Sequence, residues 1–152
     1  MSGEVSILKM IRTTLGSDLS SITRVDLKAG YFSHLVDTGA SPTAEKFESP
    51  FQETTCCAAV VSSEEPLIIT GLELNDCIPQ WSMMKAEGLR AYLGVPIYVN
   101  DRIVGALEAI CREPRVWSET DLEHIMKFAV LVESLMPDEE IELRIPKLKL
   151  VN

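Results

Sequence analysis

The chain of 152 residues is poor in aromatic, histidine and basic residues. Aromatic residues make up 6% of it, histidine occurs twice, and 14 Lys and Arg are outnumbered by 23 Asp and Glu, which gives a net charge of −9. A field of that sign repels phosphate backbones and anionic lipid headgroups, so we expect binding neither to nucleic acid nor to a membrane. The longest uncharged stretches, Thr54–Ser63 and Ala91–Asn100, are shorter than the roughly 18 to 20 apolar residues of a membrane span.

Cysteine is scarce as well, and its placement does not suggest a metal site. None of the four cysteines, Cys56, Cys57, Cys77 and Cys111, has C-x-x-C spacing, and their neighbours are mostly apolar. This pattern predicts buried thiols without disulfides in a reducing compartment. The first residues lack the basic and apolar regions of a secretory signal, so we expect a cytoplasmic protein. Adjacent cysteines on a helix point about 100° apart, so we expect no metal centre.

What is present describes one folded domain. Hydrophobic residues make up 46% and charged residues 24%, as in ordinary globular proteins. Periodicity, capping residues and turn residues predict these elements: helix 5–15, strands 21–27 and 31–36, a polar loop or weak helix at 37–48, helix 50–62 capped by Ser49, strand 66–70, helix 79–87, strands 91–99 and 102–111, and a helix after Ser118. We therefore predict an α+β domain at 1–136 and a strand-like tail at 137–152.

Several segments carry a family resemblance in the same order along the chain. They are Thr54–Leu67, Gly88–Ile97 (GLRAYLGVPI), Ile103–Leu107 (IVGAL) and Glu113–Leu122 (EPRVWSETDL). The sequence resembles the GAF domain, whose signature pairs a strand ending in "l-g-v-P" with a "lG-x-L" strand and then a "pR-x-w-s" entry to the last helix. The resemblance covers roughly residues 5–136.

The resemblance implies a fold and a class of function. It implies a central antiparallel β-sheet with the terminal helices on one face and short helices and loops over a ligand pocket on the other. GAF domains commonly serve as sensory inputs in signal transduction, where ligand occupancy acts on an output domain or a partner protein. The chain is then either a free-standing regulator or part of a longer sensor.

Glu108 is the unusual residue of the predicted sheet. Strand alternation places Ile103, Gly105 and Leu107 on one face and Val104, Ala106, Glu108 and Ile110 on the other. A carboxylate in an apolar strand needs a cation, a donor or water, and Arg24 on the first strand is a candidate partner. Alternatively, Glu108 faces a ligand that carries a donor or cation, or a zwitterion if Arg24 also lines the pocket. In GAF domains this face of the strand lines the ligand cavity.

Other candidate ligand-binding residues follow from the same comparison. Tyr92, Gly94 and Pro96 share one face of their strand, and relatives that bind bilins use that face as the pocket. Ile110 shares the face of Glu108, and Trp81 and Met84 would form a lid. Alternatively, these aromatic and methionine side chains are ordinary packing residues. The sequence names no cofactor and does not identify the ligand.

The sequence weighs against three more specific activities. No cysteine lies at the reactive spacing of the GAF-type free methionine sulfoxide reductase, and one acid of its strand motif is missing. Ile78 follows Cys77 where bilin-binding relatives have histidine, and the cyclic-nucleotide motif Asn-Lys-Phe-Asp-Glu is absent. We therefore expect no enzymatic activity and no catalytic residues. An alternative function is a dimerisation or protein-interaction module that uses the terminal helices and needs no ligand.

Overall fold

A computed structural model describes residues 3–26, 28–40, 42–50, 55–72 and 87–136 of the chain. The elements within these ranges are α1 (Gly3–Leu15), β1 (Leu19–Asp26), β2 (Tyr31–Asp37), β3 (Glu45–Pro50), α2 (Cys56–Ser63), β4 (Leu67–Ile69), β5 (Ala91–Val99), β6 (Arg102–Cys111) and α3 (Glu119–Leu135). None of the helices so described is long and apolar enough to cross a membrane.

The strands form one antiparallel sheet in the order β3-β2-β1-β6-β5-β4. The β5–β6 hairpin has the predicted bounds, and Asn100 and Asp101 in its turn both have positive φ, as a type I′ turn requires. Strand β6 pairs with β1 on one side and with β5 on the other. The α+β class and the central antiparallel sheet are therefore confirmed, and Glu108 lies on an interior strand.

Helices α1 and α3 pack side by side on one face of the sheet. Their buried residues, such as Leu8 and Ile125, join Leu93, Val95 and Leu107 of the sheet in one apolar cluster. Helix α2 lies on the opposite face, where Val60 packs near Tyr92 and Ala106. The predicted placement of the terminal helices on one face is confirmed. The opposite face holds the residues of the candidate site.

A β-bulge changes the predicted facing of two residues in β6. Gly105 pairs with Ile97 and Ile103 pairs with Tyr98, so Val104 has no opposite residue on β5. Val104 consequently packs in the helix-side cluster with Leu107, and Ile103 packs on the α2 side. The predicted alternation is wrong for Ile103 and Val104 because a bulge shifts the period of two by one residue.

The segment before α2 differs from the prediction. Residues Glu45–Pro50, expected to end a polar loop and begin a helix, form β3, which pairs with β2. Helix α2 begins only at Cys56, where the Thr55 side chain accepts a hydrogen bond from the Ala58 N–H at 3.2 Å. An edge strand tolerates polar side chains and a terminal proline, so the capping pattern at Ser49 was misleading. Most of the predicted helix 79–87 and the whole predicted tail 137–152 lie outside the described residues.

Candidate functional site

A cavity of about 420 Å³ lies on the α2 side of the sheet. Its wall combines apolar side chains, including Leu89 and Ile110, with polar ones from β1, β2, β3 and β6. No described residue of α1 or α3 lines it. A largely apolar hollow with a few converging polar groups is the usual form of a small-molecule site.

Glu108 is the acidic centre of this cavity wall, and three hydroxyl groups hold it. Its side chain is 95% buried, as its relative exposure of 5% shows. Oε1 accepts hydrogen bonds from Ser21 Oγ at 2.7 Å and Thr23 Oγ1 at 2.6 Å, and Oε2 accepts one from Tyr92 Oη at 2.5 Å. All three contacts have Glu108 as the acceptor, which suits a carboxylate. The carboxylate is thus fixed from both neighbouring strands.

The position of Tyr92 depends on the glycine two residues along β5. Gly94 lies directly opposite Glu108 in the sheet. A Cβ at Gly94 would overlap the outer ring atoms and hydroxyl of Tyr92. Gly94 therefore leaves the space in which the Tyr92 ring reaches across to Glu108. Burial and the charge of Glu108 together raise the pKa of Tyr92 well above its usual value, so its hydroxyl stays protonated and donates.

His34 extends the hydrogen-bond network away from Glu108. Its Nδ1 lies 3.0 Å from Thr23 Oγ1, and its Nε2 lies 2.7 Å from Ser49 Oγ. Because the Thr23 hydroxyl gives its proton to Glu108, Nδ1 must be the donor to Thr23. Burial lowers the pKa of His34, although the charge of Glu108 opposes the shift. A neutral ring with its proton on Nδ1 then accepts a hydrogen bond from Ser49 through Nε2.

The Cys57 thiol at the cavity is poorly suited to nucleophilic chemistry. Cys56 and Cys57 both line the cavity, and Cys56, Cys57 and Cys111 are all buried. Burial, reinforced by the charge of Glu108, raises the pKa of Cys57 to about 12. Since the thiolate is the nucleophile, a thiol held in its protonated form is inert at neutral pH. Within the part of the chain that the structure describes, no cluster of His, Cys, Asp and Glu could hold a metal ion.

The structure brings some of the predicted site residues together and separates one of them. Glu108, Tyr92 and Ile110 all line the cavity. Arg24 does not: it pairs with Glu4 of α1, and strand alternation places it on the opposite face of β1 from Ser21 and Thr23. The hypothesis that Arg24 partners Glu108 is therefore wrong. Trp81 and Met84 lie outside the described residues.

Sequence reasoning did not single out the hydroxyl groups that hold Glu108. Ser21 and Thr23 alternate on β1, and His34 lies opposite Thr23 on β2. Once β1 is placed beside β6, the same period-two rule that singled out Glu108 puts both hydroxyls on its face. Ser49 could not be found this way because β3 was not recognised as a strand.

Comparison with known proteins identifies a family and a fold. The model of the family described as the GAF domain matches residues 6–135. No curated protein matches the sequence. Many solved structures resemble the fold at low sequence identity.

Three of these structures illustrate the range of proteins that share the fold. The GAF domain of a two-component sensor histidine kinase from Bacillus halodurans has a TM-score of 0.66 and 16% identity, over 94% of this chain and 97% of that one. The free methionine-R-sulfoxide reductase from Neisseria meningitidis, in complex with its substrate, has a TM-score of 0.63 and 15% identity, over 86% and 73%. The phycocyanobilin-bound GAF domain of a cyanobacterial phytochrome has a TM-score of 0.61 and 19% identity, over 82% and 79%. At such identities the likeness shows the fold.

Proposed function

This chain belongs to the GAF domain family, and from that membership we propose that it is a sensory domain that binds a small organic ligand in the cavity beside Glu108. Ligand occupancy then acts on a signalling partner or output domain. The GAF unit spans residues 1–136 in this proposal, in keeping with the family match at 6–135. We place it in the cytoplasm, whose reducing conditions suit the buried thiols of Cys57 and Cys111.

One observation carries the ligand-binding proposal. A buried carboxylate with its donors already in place lines a cavity of about 420 Å³, which is within the size range of small-molecule sites. Holding a charge away from water is unfavourable, and a packed apolar side chain would fill the same position at lower cost. The phytochrome neighbour is bound to phycocyanobilin and the reductase neighbour to its substrate, so the fold accommodates organic molecules.

The neighbouring serines of β1 offer a route from the cavity to the terminal helices. Ser21 donates to Glu108, whereas Ser20, on the opposite face, donates to the carbonyl oxygen of Leu8 in α1 at 2.7 Å. Because of this hydrogen bond, a shift of β1 caused by ligand binding would act directly on α1. Such a shift amounts to regulation only if the two arrangements bind the ligand with different affinity.

A non-catalytic role agrees with the chemistry of the site. A reductase of the methionine sulfoxide type needs a reactive thiolate, and the raised pKa of Cys57, about 12, leaves that thiol protonated. The hydroxyl groups of Ser21, Thr23 and Tyr92 are used to hold Glu108. A turnover assay with free methionine sulfoxide and a thiol reductant tests this, and sustained reduction would contradict the proposal.

The second candidate function is assembly, with the domain acting as a homodimer through α1 and α3. The observation in its favour is a group of exposed apolar side chains on these helices: Met10, Met126, Val130, Leu131 and Leu135. Ligand binding and dimerisation are compatible, and we propose both. In a ligand-free assembly module, the cavity would have no occupant.

Native mass spectrometry of the protein purified from its source tests the ligand proposal. We expect a retained small molecule that denaturation releases and that Glu108→Gln loses or weakens. Glu123→Gln, on the exposed surface of α3, removes the same charge far from the cavity and should keep the molecule. Bare protein in every preparation, together with failure of small organic probes to bind, would favour the assembly module instead.

A further inference from the structure

The charge of Glu108 is not balanced by any cation that contacts it in the described part of the chain. Arg24 pairs with Glu4 on the other face, and further ion pairs among the described residues join Lys9 and Arg12 to Asp37 and Arg115 to Asp121. Among the described residues that line the cavity, the basic one is Arg112, four residues beyond Glu108, or about 13 Å along extended chain. Glu108 is therefore a buried carboxylate held by neutral hydroxyls.

The titratable groups around Glu108 are neutral as well. Burial lowers the pKa of His34 and raises that of Tyr92, and the pKa of Cys57 is about 12. At pH 7.5 the imidazole, the phenol and the thiol are accordingly all uncharged. Among the described lining residues there are two further acids, Glu45 and Glu87, and one Arg or Lys, Arg112. The described wall thus carries net negative charge.

Glu108 also retains capacity for one more hydrogen bond. A carboxylate offers about four acceptor sites, two on each oxygen. Ser21 and Thr23 occupy Oε1, whereas Oε2 accepts from Tyr92 alone among the described residues. The donors lie on the flanking strands β1 and β5, and the carboxylate lines the cavity. A ligand in the cavity can therefore supply the fourth donor.

Resting on the proposed ligand-binding function, we propose that the cavity selects small organic cations whose ammonium or amidinium group donates to Oε2 of Glu108. Such a group supplies the missing hydrogen bond and the missing positive charge together. A charge-assisted hydrogen bond in a site shielded from water is stronger than a neutral one. The apolar wall, which includes Leu89 and Ile110, contacts the rest of the molecule. Anionic ligands are disfavoured, because Glu108 repels them and the described wall holds more acidic than basic side chains.

A trio of probes with the same ring and substituents of different charge tests this selectivity. Benzamidine, benzamide and benzoate present a cation, a neutral amide and an anion on the same ring. Their dissociation constants for the full chain are measured at pH 7.5 by two-dimensional NMR, which also reports whether Ile110 and its neighbours respond. We expect benzamidine to bind roughly tenfold or more tightly than benzamide, and benzoate to bind most weakly.

Two variants identify the source of the preference. Glu108→Gln should remove most of the advantage of benzamidine over benzamide, whereas Glu123→Gln, with the same change in net charge, should leave it intact. High salt screens the general attraction of a chain with net charge −9 for cations, but it screens a buried pair much less. The preference should therefore persist at high salt. If Glu108→Gln does not fold, the comparison of benzamidine with benzamide on the wild-type protein at high salt still tests the cation selectivity.

The outcomes separate this inference from the proposed function. Equal binding of the three probes, or a preference for benzoate, overturns the cation selectivity. A benzamidine preference that survives in Glu108→Gln overturns the role of Glu108. Each of these results leaves a ligand-binding cavity. Binding of none of the three, with no retained molecule in the purified protein, overturns both.

Discussion

The candidate site is a carboxylate whose surroundings are as informative as the residue itself. Glu108 is buried, and each of the donors Ser21, Thr23 and Tyr92 comes from an adjacent strand. A carboxylate left without such donors would be strongly destabilising at this position. The network therefore makes the charge tolerable in the folded state, and the proposed cation completes it.

The fit between Gly94 and Tyr92 gives a prediction about packing. We expect Gly94→Ala to destabilise the protein by about 1–3 kcal/mol, because the new methyl group overlaps the outer ring atoms of Tyr92. The same substitution in a Tyr92→Leu background, which lacks those atoms, should cost much less. Urea unfolding of the four proteins in this double-mutant cycle measures the coupling. Equal costs in both backgrounds would show that Tyr92 is not what Gly94 accommodates.

The buried environment of His34 predicts a pH dependence of stability. Its pKa is lowered from the ordinary 6.5 of the unfolded chain, so below that pH the unfolded state binds protons more readily than the folded state. The free energy of unfolding should therefore fall as the pH drops below 6.5 toward the folded-state pKa, and above 6.5 this contribution is constant. The free energy of unfolding must change with pH by less than the one-proton limit of about 1.4 kcal/mol per pH unit. The partial exposure of His34 reduces this slope further.

Two measurements check the assignment to His34. Urea unfolding at several pH values should show a smaller decline of the free energy of unfolding in His34→Gln than in the wild type. In ¹⁵N NMR at pH 7.5, the His34 ring should carry its proton on Nδ1 and none on Nε2. A proton found on Nε2 would contradict the direction of the Glu108–Thr23–His34 chain.

At the element scale, the sequence predicts an element well where local pattern and tertiary contacts agree. Strands β5 and β6 are found to the residue because their apolar runs and their Asn100-Asp101 turn indicate the same hairpin. Strand β3 was missed because its residues have no period-two apolar pattern, and its pairing with β2 is what makes it a strand. The bulge at Val104 was missed for a related reason: it is defined by pairing across two strands.

Glycine at position 105 is required by the β1–β6 pairing itself. A Cβ there would overlap the backbone carbonyl of Thr23 on β1. We expect Gly105→Ala to destabilise the protein by about 3 kcal/mol or more, because a backbone group cannot turn aside as a side chain can. A Thr23→Ala background should give no relief, in contrast to the rescue expected for Gly94→Ala. Thermal unfolding compares the two glycines directly, and full relief in Thr23→Ala would contradict the backbone clash.

At the scale of the whole molecule, one sheet separates two chemically different faces. One face packs against α1 and α3 through apolar side chains, and the other carries the cavity and the network around Glu108. Adjacent residues on β1 connect them, since Ser20 binds α1 and Ser21 binds Glu108. This arrangement suits a domain in which an event on one face must alter the other. The resemblance in sequence predicted the two faces, whereas the serine contacts became visible only with the strand register.

The exposed apolar side chains of the terminal helices predict that the protein forms a homodimer. Val130 of α3 is 63% exposed and Met126, one turn earlier, is 51% exposed. If these residues form the proposed homodimer interface, light scattering should show the average mass rising toward a dimer as the protein is concentrated. We expect Val130→Lys to shift the equilibrium toward the monomer, because burying an unpaired ammonium group is strongly unfavourable. Its effect on monomer stability should be small, within about 0.5 kcal/mol, since the position is at the surface.

A matched variant separates the interface from a general effect of added charge. Val116, in the segment before α3, is 71% exposed, so Val116→Lys makes the same chemical change away from the helices. It should leave the dimerisation equilibrium unchanged. A wild-type protein that stays monomeric at every concentration, or equal dissociation by both variants, would remove α3 as the interface. Because Ser20 ties β1 to α1, ligand binding should also shift this equilibrium if the cavity and the helices are coupled.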